Sequence, residues 1–80
     1  RFNLQNLLGT LARFQGDYAA AQKVFKEQLA EAKEANDLWQ IAEANSGLGS
    51  VAYQQGDFQT ARQFIEEVLA VSRELDEQYG

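Results

Sequence analysis

Glu27 and Glu31 lie one helical turn apart, and Glu66 and Glu67 are adjacent, so the chain offers two pairs of carboxylates. Paired carboxylates are the usual tools of general acid–base chemistry. Lys23, Lys26 and Arg62 fall within a turn of them, however, and carboxylates interleaved with cations at that spacing read as a solvated, charged helix face. Nucleophilic chemistry has less to draw on. Ser46, Ser50 and Ser72 have no activating partner in the pattern, because the chain contains no His and no Cys. No Gly-rich phosphate loop and no metal-ligand spacing occurs. The expectation is a non-enzyme without cofactor or metal.

Charge narrows the partners. The chain of 80 residues carries a net charge of −5. Residues 1–40 balance their acids and bases, whereas residues 41–80 set Glu43, Asp57, Glu66, Glu67, Glu74, Asp76 and Glu77 against Arg62 and Arg73 alone. A phosphate backbone needs clustered Lys and Arg to release its counterions, so nucleic acid is not an expected partner. No apolar run is long enough for a membrane span and no signal-peptide pattern is present, which points to a cytoplasmic protein without membrane contact. With 45% hydrophobic residues the chain is expected to fold.

What must hold these side chains is legible from a repeat. Laid beneath residues 41–80, residues 1–40 match without a gap, and eleven of the forty pairs are identical. Leu8-Gly9 meets Leu48-Gly49, Gln15-Gly16-Asp17 meets Gln55-Gly56-Asp57, and Ala21 meets Ala61. Tyr18 and Phe25 meet Phe58 and Ile65. Self-similarity at such a period marks stacked units that cannot bury their apolar faces alone.

Each copy reads as two helices. No Pro interrupts the chain, and Ala, Leu, Glu and Gln favour helix. Apolar residues recur at helical spacing over about 2–14, 18–35, 38–54 and 58–77. The inward stripes expected are Phe2, Leu4, Leu7, Leu8, Leu11 and Phe14 in the first helix, and Tyr18, Ala21, Phe25, Leu29 and Ala32 in the second. Leu38, Ile41, Ala44, Leu48, Val51 and Ala52 follow in the third; Phe58, Ala61, Ile65, Val68, Leu69, Ser72 and Leu75 in the fourth. Gly16-Asp17, Asn36-Asp37 and Gly56-Asp57 supply the stops and the next N-caps. Short connections make neighbouring helices antiparallel. Gly9 opposite Ala21, and Gly49 opposite Ala61, would let the helices of each hairpin approach closely. The fold class is therefore all-α: two hairpins, units 1–37 and 38–80, in a short solenoid segment.

These residues resemble the tetratricopeptide repeat. Its pattern of Leu-Gly, then Gly-Asp-aromatic, then Ala and a large apolar residue is met by Leu8-Gly9, Gly16-Asp17-Tyr18, Ala21 and Phe25. It recurs as Leu48-Gly49, Gly56-Asp57-Phe58, Ala61 and Ile65. The common unit has 34 residues; the 40-residue period resembles the longer variant of kinesin light chains and of signalling and bacterial regulatory arrays. The bulky aromatic common early in the first helix is replaced by Gln5 and Asn45, and the usual Tyr by Ala12 and Ala52. Forty residues also suit a HEAT repeat, but the twin Gly-Asp-aromatic turn is not a HEAT feature.

The resemblance implies a protein–protein interaction scaffold, with the first helix of each unit lining a concave, peptide-binding face. By position that face takes Asn3, Asn6, Thr10 and Arg13 from unit one and Glu43, Ser46, Ser50 and Tyr53 from unit two. Arg13 and Tyr53 are its foremost candidates, since Arg and Tyr are enriched at binding hot spots. Trp39 and Tyr79, at matching positions, are expected to cover the join between units. The chain opens on Arg1 within a helical pattern, which reads as part of a longer array. On the last helix Phe64, Val68, Val71 and Leu75 are expected to be left for a next unit or for self-association into a homo-oligomer. The other readings are an architectural spacer and a sensor or regulatory domain of a bacterial signalling protein.

Overall fold

The computed structural model describes residues 4–79, with side chains described at residue 4 and residues 7–77. It contains four helices, α1 (Leu4–Phe14), α2 (Tyr18–Ala35), α3 (Leu38–Gln54) and α4 (Phe58–Tyr79), and no strand among the described residues. The second and third helices have the expected bounds, and the fourth runs two residues beyond 77. Phe2, expected at the start of the first, lies outside the described residues.

The three turns are built alike. The amides of Asp17, Asp37 and Asp57 donate to the carbonyls of Ala12, Ala32 and Ala52, each at 2.9 Å. The residue before each Asp has positive φ: 80° at Gly16, 54° at Asn36 and 82° at Gly56. Left-handed backbone costs an ordinary L-residue about 1–2 kcal/mol, which Gly escapes and Asn tolerates. Each Asp then caps the next helix, accepting from the amide of Ala20 (3.1 Å), Gln40 (3.3 Å) or Thr60 (3.2 Å). Turns this short fold each helix back on the last, so α1 packs on α2, α2 on α3 and α3 on α4, with α1 also reaching α3. The body measures 36 × 26 × 18 Å.

Ala21, Phe25, Leu48 and Val51 form the buried core, with Ala12, Tyr18, Leu29 and Phe64 packed around it. Phe25 is its largest member, and its ring lies between Gly9 of α1 and Gly47 of α3; a Cβ at either glycine would stand under 3 Å from it. At Gly49 a Cβ would meet the Ala61 carbonyl at 3.6 Å, so that hairpin closes across the two small residues as expected. At Gly9 the nearest neighbour is the Phe25 ring.

Two expected faces are corrected. In α1 the leucines at 4, 7, 8 and 11 and Phe14 are exposed, because the helix meets α2 through the side that carries Gly9 and Ala12. In α4 the inward stripe is Ala61 and Val71, buried, with Phe64, Val68 and Leu75, half-buried, at alternating intervals of three and four. Phe64, Val68, Val71 and Leu75 are thus turned inward, whereas Phe58, Ile65, Leu69 and Ser72, placed in the inward stripe, are exposed. The cause is that α4 packs on α3 alone, and only one of its two apolar faces can meet that helix. Two buried polar residues, Gln28 and Asn45, were not anticipated.

Candidate functional site

The fold turns one face of α3 into the floor of a groove. Residues 39, 43, 46 and 50 fall three or four apart, so Trp39, Glu43, Ser46 and Ser50 line up along it, with Ala42 and Gly47 alongside. Thr10 and Arg13 come from α1, Phe25 from α2, and Val68, Ser72 and Leu75 from α4. Together they enclose a cavity of about 440 Å³, in the range of about 300–1,000 Å³ typical of ligand pockets.

Its polar groups are held in distinct ways. Trp39 Nε1 donates to Glu43 Oε1 at 3.1 Å, one turn along the same helix, which orients the carboxylate. Arg13 carries its guanidinium 5.1 Å from the centroid of the Phe14 ring, and its Nη1 reaches Gln54 Oε1 at 3.5 Å. That distance makes a weak bond. Arg13 Nε is buried without a hydrogen-bond partner. Guanidinium presents five donors in a fixed fork, and its terminal Nη groups, held only by the weak Gln54 bond, are the ones a ligand could meet.

The structure brings five of the expected residues together: Thr10, Arg13, Glu43, Ser46 and Ser50. Tyr53 is not among the cavity's walls; it is exposed near the α3–α4 turn, where its ring meets Phe58 edge-on at 5.3 Å between centroids and 64° between planes. Asn3 and the side chains of Asn6 and Tyr79 lie outside the described residues. Trp39, expected as a cover for the join, is half-exposed at the cavity instead. Its place one turn before Glu43 was the available signal. The α4 wall gave no signal, because its phase depends on how α4 docks.

The carboxylates singled out by spacing stand apart from this site. Glu27, Glu31, Glu66 and Glu67 are all exposed, and Arg62 Nε lies 3.8 Å from Glu66 Oε2. Among the described residues no three His, Cys, Asp or Glu side chains group as metal ligands, and no helix is long and apolar enough to cross a membrane.

A tetratricopeptide repeat family model matches residues 1–74, spanning both copies of the pattern. The chain belongs to the tetratricopeptide repeat family. Neither a curated protein nor a solved structure matches it. Tetratricopeptide repeats are protein–protein interaction modules and typically non-catalytic scaffolds, in keeping with a groove that gathers hydrogen-bonding groups.

Proposed function

We propose that this tetratricopeptide segment binds an extended peptide of a partner protein in the groove over α1 and α3, without catalysis. The observation that carries the reading is the Arg13 guanidinium, held only weakly by Gln54 Oε1 at 3.5 Å, at a cavity whose α4 side is lined by Val68 and Leu75. A carboxylate of the peptide suits Arg13, where a charge-assisted bond is about twice as strong as a neutral one. Ser46 and Ser50 both donate and accept, which serves a peptide backbone. Trp39, Val68 and Leu75 offer apolar surface to a neighbouring side chain. The net charge of −5 argues against nucleic acid as the ligand.

Titration of labelled peptides, with and without an acidic residue beside an apolar one, tests this directly. The acidic peptides should bind, Arg13→Ala should weaken them about tenfold, equivalent to about 1.4 kcal/mol, and Ser46→Trp should block the floor. Equal binding by the wild type and both variants would take the groove out of the function.

A further inference from the structure

The repeat gives α1 and α3 the same face. Leu4, Leu7, Leu8 and Leu11 stand forty residues before Ala44, Gly47, Leu48 and Val51. In α3 all four are buried, with Leu48 and Val51 in the core beside Phe25 and Ala21 of α2, and Gly47 against the Phe25 ring. In α1 all four are exposed: Leu8 is 48% accessible against 3% for Leu48, and Leu11 49% against 0% for Val51. The receiving face is duplicated too. Phe25 and Leu29 of α2 recur as Ile65 and Leu69 of α4, and Phe25 is 1% accessible where Ile65 is 52%. The described chain therefore carries both halves of its own α2–α3 interface a second time, apart from each other.

We infer that a second copy of this chain covers them head to tail, α1 of one molecule docking on α4 of the next as α3 docks on α2. Continuity with the interior interface is the first argument, and size is the second. Phe25 needs Gly47 to admit its ring; at the free faces Leu7 stands for Gly47, and Ile65, without a ring, stands for Phe25. Polarity is the third. The buried Gln28 of α2 has as its α4 counterpart Val68, half-buried at the groove, so no buried amide stands beside the second interface. Charge is the fourth: α1 has one cation and no acid, whereas α4 has two cations and five acids. That imbalance favours α1 on α4 and opposes α4 on α4. None of the six free leucine and isoleucine side chains lines the groove, so the apolar contact is separate from the peptide site, which Arg13 and Val68 border. A contact between unlike faces leaves one of each open at the ends, and growth does not stop at two.

Sedimentation of the 80-residue chain over a concentration series tests it with two double variants, Leu8→Glu with Leu11→Glu, and Ile65→Lys with Leu69→Lys. All four positions are exposed, and helix content by circular dichroism checks each variant; Leu8→Gln with Leu11→Gln and Ile65→Gln with Leu69→Gln replace either that loses helix. The wild type should gain mass continuously with concentration. Each variant alone should remain monomeric, and their equal mixture should form a one-to-one dimer and go no further, because each keeps the face the other lost. A wild type that stays monomeric, a wild type that plateaus at a dimer, or variants that fail to pair when mixed would overturn the proposal.

Discussion

The ring of Phe25 lies so close to the backbone of Gly47 that a Cβ at position 47 would stand 2.4 Å from its Cε1. The ring cannot retreat, because Gly9 bounds it on the α1 side, where a Cβ would stand 2.7 Å from Cζ. Gly47→Ala gains up to about 1 kcal/mol of helix propensity and loses about 1–3 kcal/mol to overpacking. The outcome expected is a net loss, with Gly9→Ala next in order. Gly49→Ala, whose Cβ would meet Phe64 Cβ at 3.3 Å, should be close to neutral. Thermal unfolding ranks them, since 1 kcal/mol moves the midpoint of a domain this size by about 4–8 °C. A Gly47→Ala protein more stable than Gly49→Ala would refute the clamp.

Phe25 and Ile65 hold the same repeat position and should answer truncation oppositely. Phe25→Ala opens a cavity in the core of the described residues, at about 3–5 kcal/mol. A domain of this size has about 4–12 kcal/mol in all, so most of its stability should vanish. Ile65→Ala removes an exposed side chain and should change stability by less than about 1 kcal/mol. Urea titration of dilute protein, kept monomeric, makes the comparison.

The turns give a third set of expectations. Asp17→Ala, Asp37→Ala and Asp57→Ala each strip a capping acceptor and should each cost about 1 kcal/mol. Gly16→Ala and Gly56→Ala force a Cβ into left-handed backbone and should cost about 1–2 kcal/mol each. Asn36→Gly relieves the remaining left-handed residue and should be neutral or mildly stabilising, read from the same melting curves. If Asn36→Gly were as harmful as Gly16→Ala, backbone conformation would not be what fixes these turns.

These turns were legible in the sequence because their chemistry is local: a residue tolerant of positive φ followed by a capping carboxylate. Helix bounds followed from them. The phase of α4 was not legible, since apolar residues at 58, 61, 64, 65, 68, 69, 71 and 75 cover two adjoining faces, and only docking on α3 selects one. Gly47 escaped for a related reason. Recurrence picked out Gly9 and Gly49, but position 47 is matched by Leu7. The groove residues Thr10, Arg13, Glu43, Ser46 and Ser50 came from the family resemblance, and the α4 wall that encloses them did not.

Arg13 and Tyr53 occupy equivalent repeat positions yet should part company in binding. Arg13 lines the cavity, whereas Tyr53 meets Phe58 edge-on outside it. Tyr53→Ala should leave peptide affinity unchanged and cost about 0.5–1.5 kcal/mol of stability from the lost aromatic pair. Calorimetric titration beside thermal melting separates the two effects. Affinity lost through Tyr53→Ala, with Arg13→Ala inert, would move the site to the α3–α4 turn.

Gln28 makes the sharpest stability expectation. It is 2% accessible, its Nε2 donates to Gln40 Oε1 at 2.9 Å, and its own Oε1 is buried without a partner. A neutral hydrogen bond nets about 1 kcal/mol, and a buried orphan acceptor costs about 1–3 kcal/mol. Gln28→Leu gives up the first and removes the second at similar volume, so it should stabilise the fold by about 1 kcal/mol. Val68, apolar at the same repeat position, shows that the helix pattern accepts such a side chain. The reciprocal change acts the other way. Gln40→Leu leaves the buried amide of Gln28 without its partner and should destabilise by about 1–3 kcal/mol. Both variants destabilising to the same degree would mean that the Gln28–Gln40 bond outweighs the unsatisfied carbonyl, and that the α2–α3 contact depends on a polar link.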